Sequence, residues 1–596
     1  MTKKEVVWNL SEIFPSTTDP SIQKALDKVT KMAEDFAAKY RAQIRSLPTQ
    51  ELLKCIQDYE EYLTRRRDIT LFAELSFAAN MTLPDTQSLY DRVMKAAAEL
   101  DKRLAFFKIE LGSLVKKRPE VINDRTLANY KHFLEKLARE APHQVSEIEE
   151  KLIIEKDQYG VKAWEELQQK WLNTRVFKVK VEGKMKSLSF GEAVGLLSHR
   201  DRATRRSATK SIYTLLGKDG EIFSSALRSV CNDWLSICDR RKFDSPIEAS
   251  LISNDVSRQT VENLLEVIEE NTGLYQRYLR LKAKAMRLPK LSCHDISAPI
   301  PDAPKIRFDY DKTKDLTIEA YSRFDEDYVL AVKDMFARNH IDPLPRQGKR
   351  NGAFCSDWYN GKSAFVLANF NETLRDVYTL AHELGHATHV YYFEQDQTYL
   401  SASFEFFSMA VAEIASAFGE LLLTDLLLSK AKSEKEKKAI ICAVLDAASI
   451  KIFRASSAAR FEQSLYDSIK QRDFLDYKTV CKRWIAARDK LFGDSVEWFD
   501  ELEAEWAPIP QFYFANFRFY NYPYAYAQLF VYALYQKYLK EGKTFVPKFK
   551  KALSAGSSIS PAEIGKILGL DTNDPRFWKL GLMQYEHFVR ELEKTL

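Results

Sequence analysis

The sequence predicts a mostly α-helical protein, and three observations carry that prediction. Apolar residues recur three and four positions apart over long stretches. Gly and Pro, which interrupt helices, number only 19 each in 596 residues. Strand-like alternation is confined to two short places. The length points to more than one domain or to one large multi-lobed body.

Taken in order, the helical period runs through Leu26 to Tyr40, Leu52 to Phe77 and Leu89 to Val115. Pro48-Thr49 and Leu83-Pro84-Asp85 punctuate these runs. Val176 to Val181, then Glu182-Gly183, then Lys184 to Phe190 alternates and turns as a β-hairpin. Val261 to Met286 is helical again. Lys290 to Ile306, rich in Pro and Ser, reads as a connector. Ser363 to Phe370 is a second strand, directly before a helix that carries the chemistry described below. There is no internal repeat and no low-complexity tract.

Hydrophobic residues make up 45% of the chain, enough to build a sizeable core. The net charge of +5 is a small surplus of 89 basic over 84 acidic residues, so neither a nucleic acid nor an anionic membrane is an expected partner. The seven cysteines are odd in number and none forms C-x-x-C, which argues for buried, inert thiols in a reducing compartment. The first residues lack the apolar stretch of a secretory signal. The most apolar window, Met409 to Leu428, carries Glu413, Glu420 and Asp425, which argues against a membrane span. Cytoplasmic residence is expected.

Thr379 to His389 contains His382-Glu383-Leu384-Gly385-His386, an H-E-x-x-H pattern at helical period. Histidines at i and i+4 project from one helix face, so His382 and His386 can share one Zn²⁺ per chain. Glu383, one position round, can take a proton from a metal-activated water and pass it to a leaving amine. The competing reading is a helix with two ordinary satisfied histidines. Gly385 weighs against it, because a mid-helix glycine costs about 1 kcal/mol and usually marks a close approach. His389 is one turn too far along the axis to complete the site. The downstream carboxylates are Glu394, Asp396, Glu405, Glu413 and Glu420. Glu413, set among small and apolar residues, is preferred over Glu405 as third ligand; its competing reading is a salt bridge on a helix face. Glu420, two turns on, can orient a ligating histidine. Asp376 is a similar candidate or an ordinary surface charge.

With these residues in view the chain resembles oligoendopeptidase F, within the thimet oligopeptidase superfamily of zinc peptidases. The matching stretches are Trp8 to Ser11, Gly348 to Cys355, Thr373 to Asp376 leading into His382 to His386, Ala412 to Ser416, and Phe519 to Tyr524. The resemblance spans essentially the whole chain. It implies a two-lobed helical shell around a deep channel, with a small β element near the zinc helix. It implies an N-terminal helical region (1–120), an oligoendopeptidase F-like N-terminal domain with the hairpin (121–197) and a catalytic domain (198–596). It implies cleavage of short unstructured peptides and supports Glu413 as a ligand. It also implies that the strand Ala364 to Phe370 borders the cleft, where its edge could pair with an extended peptide. Tyr524, with Tyr520 second, matches tyrosines that donate hydrogen bonds to the substrate carbonyl. The other tyrosines nearby, Tyr522 and Tyr526, have an aromatic core as their bland reading. Two positions depart from the family pattern: Gln511 stands where a histidine is usual, and Gln528 where a further tyrosine is common. The alternatives are a zinc carboxypeptidase of similar helical shape and a non-catalytic peptide-binding relative. The sequence sets no oligomeric state.

Overall fold

The computed structural model describes residues 6–301, 307–403 and 406–596. Helices dominate, as the period predicts. The chain forms two compact units, each discontinuous in sequence. One comprises Met1–Gln144, Ile306–Ser429 and Lys537–Asp571; the other comprises Val145–Lys305, Lys430–Gln536 and Thr572–Leu596.

In the first unit the helices Pro20–Tyr40, Thr49–Ala79 and Pro84–Leu104 pack on one another. The run Leu89 to Val115 is not one helix. It breaks at Ala105, and Phe106–Lys117 turns instead onto Lys131–Glu140. Phe107 there stacks on Tyr59 with ring centroids 4.0 Å apart. The run Val261 to Met286 in the second unit likewise divides, at Asn271, into Arg258–Glu270 and Thr272–Ala285. In both cases the apolar period continues across the break, so tertiary packing rather than pattern sets the boundary.

The hairpin is present in the second unit as β1 (Phe177–Val181) and β2 (Lys184–Leu188). Glu182 and Gly183 both take positive φ, 48° and 88°, the turn whose twist matches the strands it joins. The hairpin packs on the helix Arg202–Lys218. The predicted connector is partly ordered structure. Its start forms β3 (Leu291–Ser292), and Asp295 is buried between Arg202 and Arg205. Its end, residues 302–306, lies outside the described residues.

The first unit holds β4 (Ile341–Asp342), β5 (Phe354–Trp358) and β6 (Ser363–Leu367) in the order β4-β6-β5. The two-residue strand β7 (Val496–Glu497) pairs in parallel with β3 in the second unit. The predicted strand at 363–370 is therefore β6, and it is the central strand. Both its edges are taken, by β4 in parallel and β5 antiparallel. The expectation of a peptide-pairing edge on this segment is overturned, since strand order is a non-local property. β5 is the outer strand on that side. Both β5 and β6 pack on the helix Leu374–Asp396, so this sheet is the β element beside the H-E-x-x-H helix.

The seven cysteines are free. No helix among the described residues is long and apolar enough to cross a membrane.

Candidate metal centre and active site

The helix Leu374–Asp396 opens with a capping box. The Thr373 hydroxyl accepts from the Asp376 backbone N–H, and the Asp376 carboxylate accepts from the Thr373 N–H and hydroxyl. Of the two readings open for Asp376, a partner for a histidine or a surface charge, the structure gives neither in full: it is the carboxylate that caps the start of the helix.

Nearly two turns further on, His382 and His386 face the same way, with ring centroids 4.8 Å apart. Glu413 sits where the short helix Met409–Ala412 meets the helix Ile414–Lys430. Its Oε2 lies 3.3 Å from His382 Nε2 and 3.8 Å from His386 Nε2. One ligand atom from each of the three residues falls within 4.8 Å of the others. Zn²⁺ ligands at ~2.0–2.1 Å in a tetrahedron stand roughly 3.4 Å apart, so this donor set, two imidazoles and a carboxylate, fits a catalytic zinc with one position open. Among the described residues no other such cluster of His, Cys, Asp or Glu occurs. Glu405 lies outside the described residues. Glu394 is buried elsewhere, its carboxyl held well above the usual range by burial and then by Asp357.

The surroundings orient this set. His382 Nδ1 donates to Glu420 Oε1 at 2.6 Å, which leaves Nε2 as its metal-facing atom. The Ser416 hydroxyl donates to Glu413 Oε2 at 2.8 Å. Sequence reasoning missed Ser416, although its place three residues after Glu413 was a usable signal. Gly385 explains itself: a Cβ there would meet Ala415 O at 2.6 Å and Ser416 Cα at 2.6 Å. The glycine lets the two histidines approach the segment bearing Glu413. His389, two ring contacts deep against Phe393 and Phe407, is a core histidine that burial holds neutral, its pKa near about 3.

Electrostatics agree with a cation site. Burial opposes charge on His382, yet Glu413 and Glu420 outweigh it and lift its pKa to about 9. Binding of a metal at Nε2 is therefore coupled to loss of that proton. His386 is pushed down to about 4, by burial first. Burial, reinforced by Glu413 and Glu420, raises Glu383 to about 7, in the range suited to a general base. Cys355 on β5 lies near enough to Glu383 that, after burial, its charge helps hold the thiol up. Replacing Glu420 by Gln should weaken metal affinity about 10- to 100-fold with little change in fold. Competition with a chromophoric chelator would measure this.

Tyr520 and Tyr524 belong to the second unit. They pack edge-on with centroids 5.8 Å apart, and Tyr520 also meets Phe514 and Phe517. Both are partly exposed, whereas Tyr522 and Tyr526 are core: Tyr522 hydrogen-bonds Ser250, and Tyr526 packs edge-on against Trp578. The loop before them is pinned from within. Buried Arg518 donates to Phe512 O at 2.6 Å and to the Tyr466 hydroxyl at 2.9 Å, and pairs with buried Glu462 at 3.0 Å. Glu462 also accepts from the Phe519 N–H, which fixes Phe519 at φ 57°. Arg518→Met leaves the buried Glu462 carboxylate without its counter-charge. Chemical denaturation should show a loss of about 3–5 kcal/mol.

The sequence of Peptidase family M3 matches residues 195–583, and that of Oligopeptidase F matches residues 116–173. The chain belongs to peptidase family M3. It is a metalloendopeptidase, and its family implies a bound metal. Oligopeptidase PepF of Bacillus subtilis is 25% identical over 599 residues, covering 100% of this chain and 88% of that protein. An oligoendopeptidase F homolog of Lactococcus lactis is 28% identical over 477 residues, covering 79% and 77%. The fold is shared with oligoendopeptidase-F from Enterococcus faecium, at TM-score 0.70 and 21% identity over 96% of this chain and 98% of that one. It is also shared with a Chlamydophila abortus protein described as a peptidase, at TM-score 0.88 and 20% identity over 99% and 98%.

Proposed function

We propose that this family M3 member is a zinc-dependent endopeptidase of the cytoplasm, hydrolysing short unstructured peptides. The observation that supports it is the convergence of His382 Nε2, His386 Nε2 and Glu413 Oε2 on one point of the helix that also carries Glu383. His382, His386 and Glu413 would hold the ion. Bound zinc supplies Lewis acidity that activates a water and polarises the scissile carbonyl.

The chain's own residues do the rest. Glu383 takes the water's proton and returns it to the leaving amine. Glu420 holds His382 in the tautomer that presents Nε2. Tyr524, with Tyr520 second, donates a hydrogen bond to the carbonyl oxygen as charge builds on it; each such donor contributes about 3 kcal/mol. β5, as an outer strand beside Glu383, is the edge on which an extended peptide would lie. In sequence the chain then divides into an N-terminal helical region (1–120), an oligoendopeptidase F-like N-terminal domain (121–197) and the catalytic domain (198–596).

Zinc removal and return test it. Dialysis against a chelator should abolish cleavage of a quenched octapeptide, and one equivalent of Zn²⁺ should restore it. Mass spectrometry should find internal cuts. Cleavage that survives complete metal removal, or release of single C-terminal residues only, would refute the reading.

A further inference from the structure

Nine of the sixteen residues from Gln511 to Tyr526, in the second unit, are aromatic. The only charged residue among them is Arg518, 1% exposed and turned inward onto Glu462. The segment therefore shows solvent no charge of its own. Its rings sort into two sets. Phe512, Tyr513, Phe519 and Tyr522 join the core of the unit, and Tyr526 is buried as well. Phe514, Phe517, Tyr520 and Tyr524 are partly exposed. These four form one patch with Tyr520 at its centre. Its ring centroid lies 5.5 Å from that of Phe514, 5.6 Å from that of Phe517 and 5.8 Å from that of Tyr524, every contact being edge-on.

Core packing does not account for the outward set. A ring left in water forgoes the gain of burial, and rings gathered into an exposed apolar patch mark a binding surface. The patch is also held in place from beneath. The Ala515 N–H donates to Glu165 and the Phe519 N–H to Glu462, each at 3.1 Å, while Arg518 donates to the Phe512 carbonyl at 2.6 Å. A backbone ordered before the guest arrives lowers the cost of binding it. Edge-on contacts leave ring faces uncovered, and an aromatic or aliphatic group packs well on such faces. A charged guest would lose hydration there and gain no counter-charge from the segment. The guest that fits is apolar.

Tyr524 supplies the identity of that guest. The chain is a metalloendopeptidase, so its ligand is a peptide, and Tyr524 is the ring proposed to serve the scissile carbonyl. Tyr520 is 5.8 Å from it, less than two residues of extended peptide at about 3.3 Å each. We propose that Phe514 and Phe517, with the ring of Tyr520, form a subsite for a bulky apolar side chain, such as Leu or Phe, within two residues of the cleaved bond. The two phenylalanines set specificity and take no part in the chemistry. This deepens the proposed function and rests on it for the place of Tyr524.

Octapeptides with a single cleavage site test it. The two residues on each side of the bond are made Ala, Glu, Leu or Phe in turn, and kcat/KM is measured with native protein. At one of these positions we expect Leu or Phe to exceed both Ala and Glu by at least about tenfold. Phe514→Ala and Phe517→Ala should each cut that ratio to within about threefold while the Ala peptide is cleaved as before. Phe517→Leu, which keeps an apolar side chain, should retain most of the preference. Phe474→Ala, which removes a ring 67% exposed outside the patch, should change nothing. Calorimetry on the Glu383→Gln protein reads the same ranking as binding, independently of cleavage. A flat profile at all four positions, or a ratio untouched by both Ala variants, would overturn the proposal. A binding preference that both Ala variants abolish, in a native protein that cleaves none of the peptides, would keep the subsite and discard the peptidase reading.

Discussion

Glu383→Gln is expected to lower kcat about 10²- to 10⁴-fold while metal content stays at one ion per chain. The argument is one of separable roles. Glu383 is adjacent to His382 but is not among the three residues whose ligand atoms converge. Gln is isosteric and keeps the packing of a residue only 8% exposed. It cannot accept a proton, and its neutral amide loses the poise that burial and the neighbouring carboxylates give the acid, at about 7. Elemental analysis beside single-turnover kinetics would check both halves. A variant within tenfold of native kcat would show that another group carries the proton. A variant without metal would show that Glu383 acts through the ion's affinity instead.

The parts of the site legible in the sequence are those fixed by helix geometry. His382 and His386 one turn apart, Glu383 between them, and Glu420 two turns beyond Glu413 need only the 3.6-residue period to be placed. The role of Asp376 was left open although its signal was local: Thr373 and Asp376 have the spacing of a capping box, and the acid at the third helical position reaches back to the cap. What the sequence did not disclose is non-local. Nothing in Ser363 to Leu367 says that this strand is flanked on both sides, because the pairing partners lie at Ile341–Asp342 and Phe354–Trp358. The breaks at Ala105 and Asn271 fall inside unbroken apolar patterns.

Gly385→Ala should make the protein both less stable and poor at holding zinc, and here two opposed effects must be weighed. In an exposed helix interior, Gly to Ala stabilises by about 1 kcal/mol through helix propensity. At Gly385 the added Cβ would stand 2.6 Å from the Ala415 carbonyl oxygen and 2.6 Å from Ser416 Cα, where ordinary contact begins at 3.4 Å. The obstacle is backbone, so no side chain can rotate away, and overpacking of that kind costs about 1–3 kcal/mol. Strain therefore wins over propensity. Relief requires the segment 413–416 to retreat from the helix by several tenths of an ångström. Glu413 retreats with it, whereas metal–ligand distances tolerate only about 0.2 Å. The expected result is a lower melting temperature in the metal-free protein, zinc affinity reduced at least about tenfold, and peptidase activity lost in proportion to bound zinc. Thermal unfolding of the metal-free form and chelator competition measure the two effects independently. A variant that melts higher and binds zinc as the native protein does would mean that the helix and the Glu413 segment are not held in contact by this glycine.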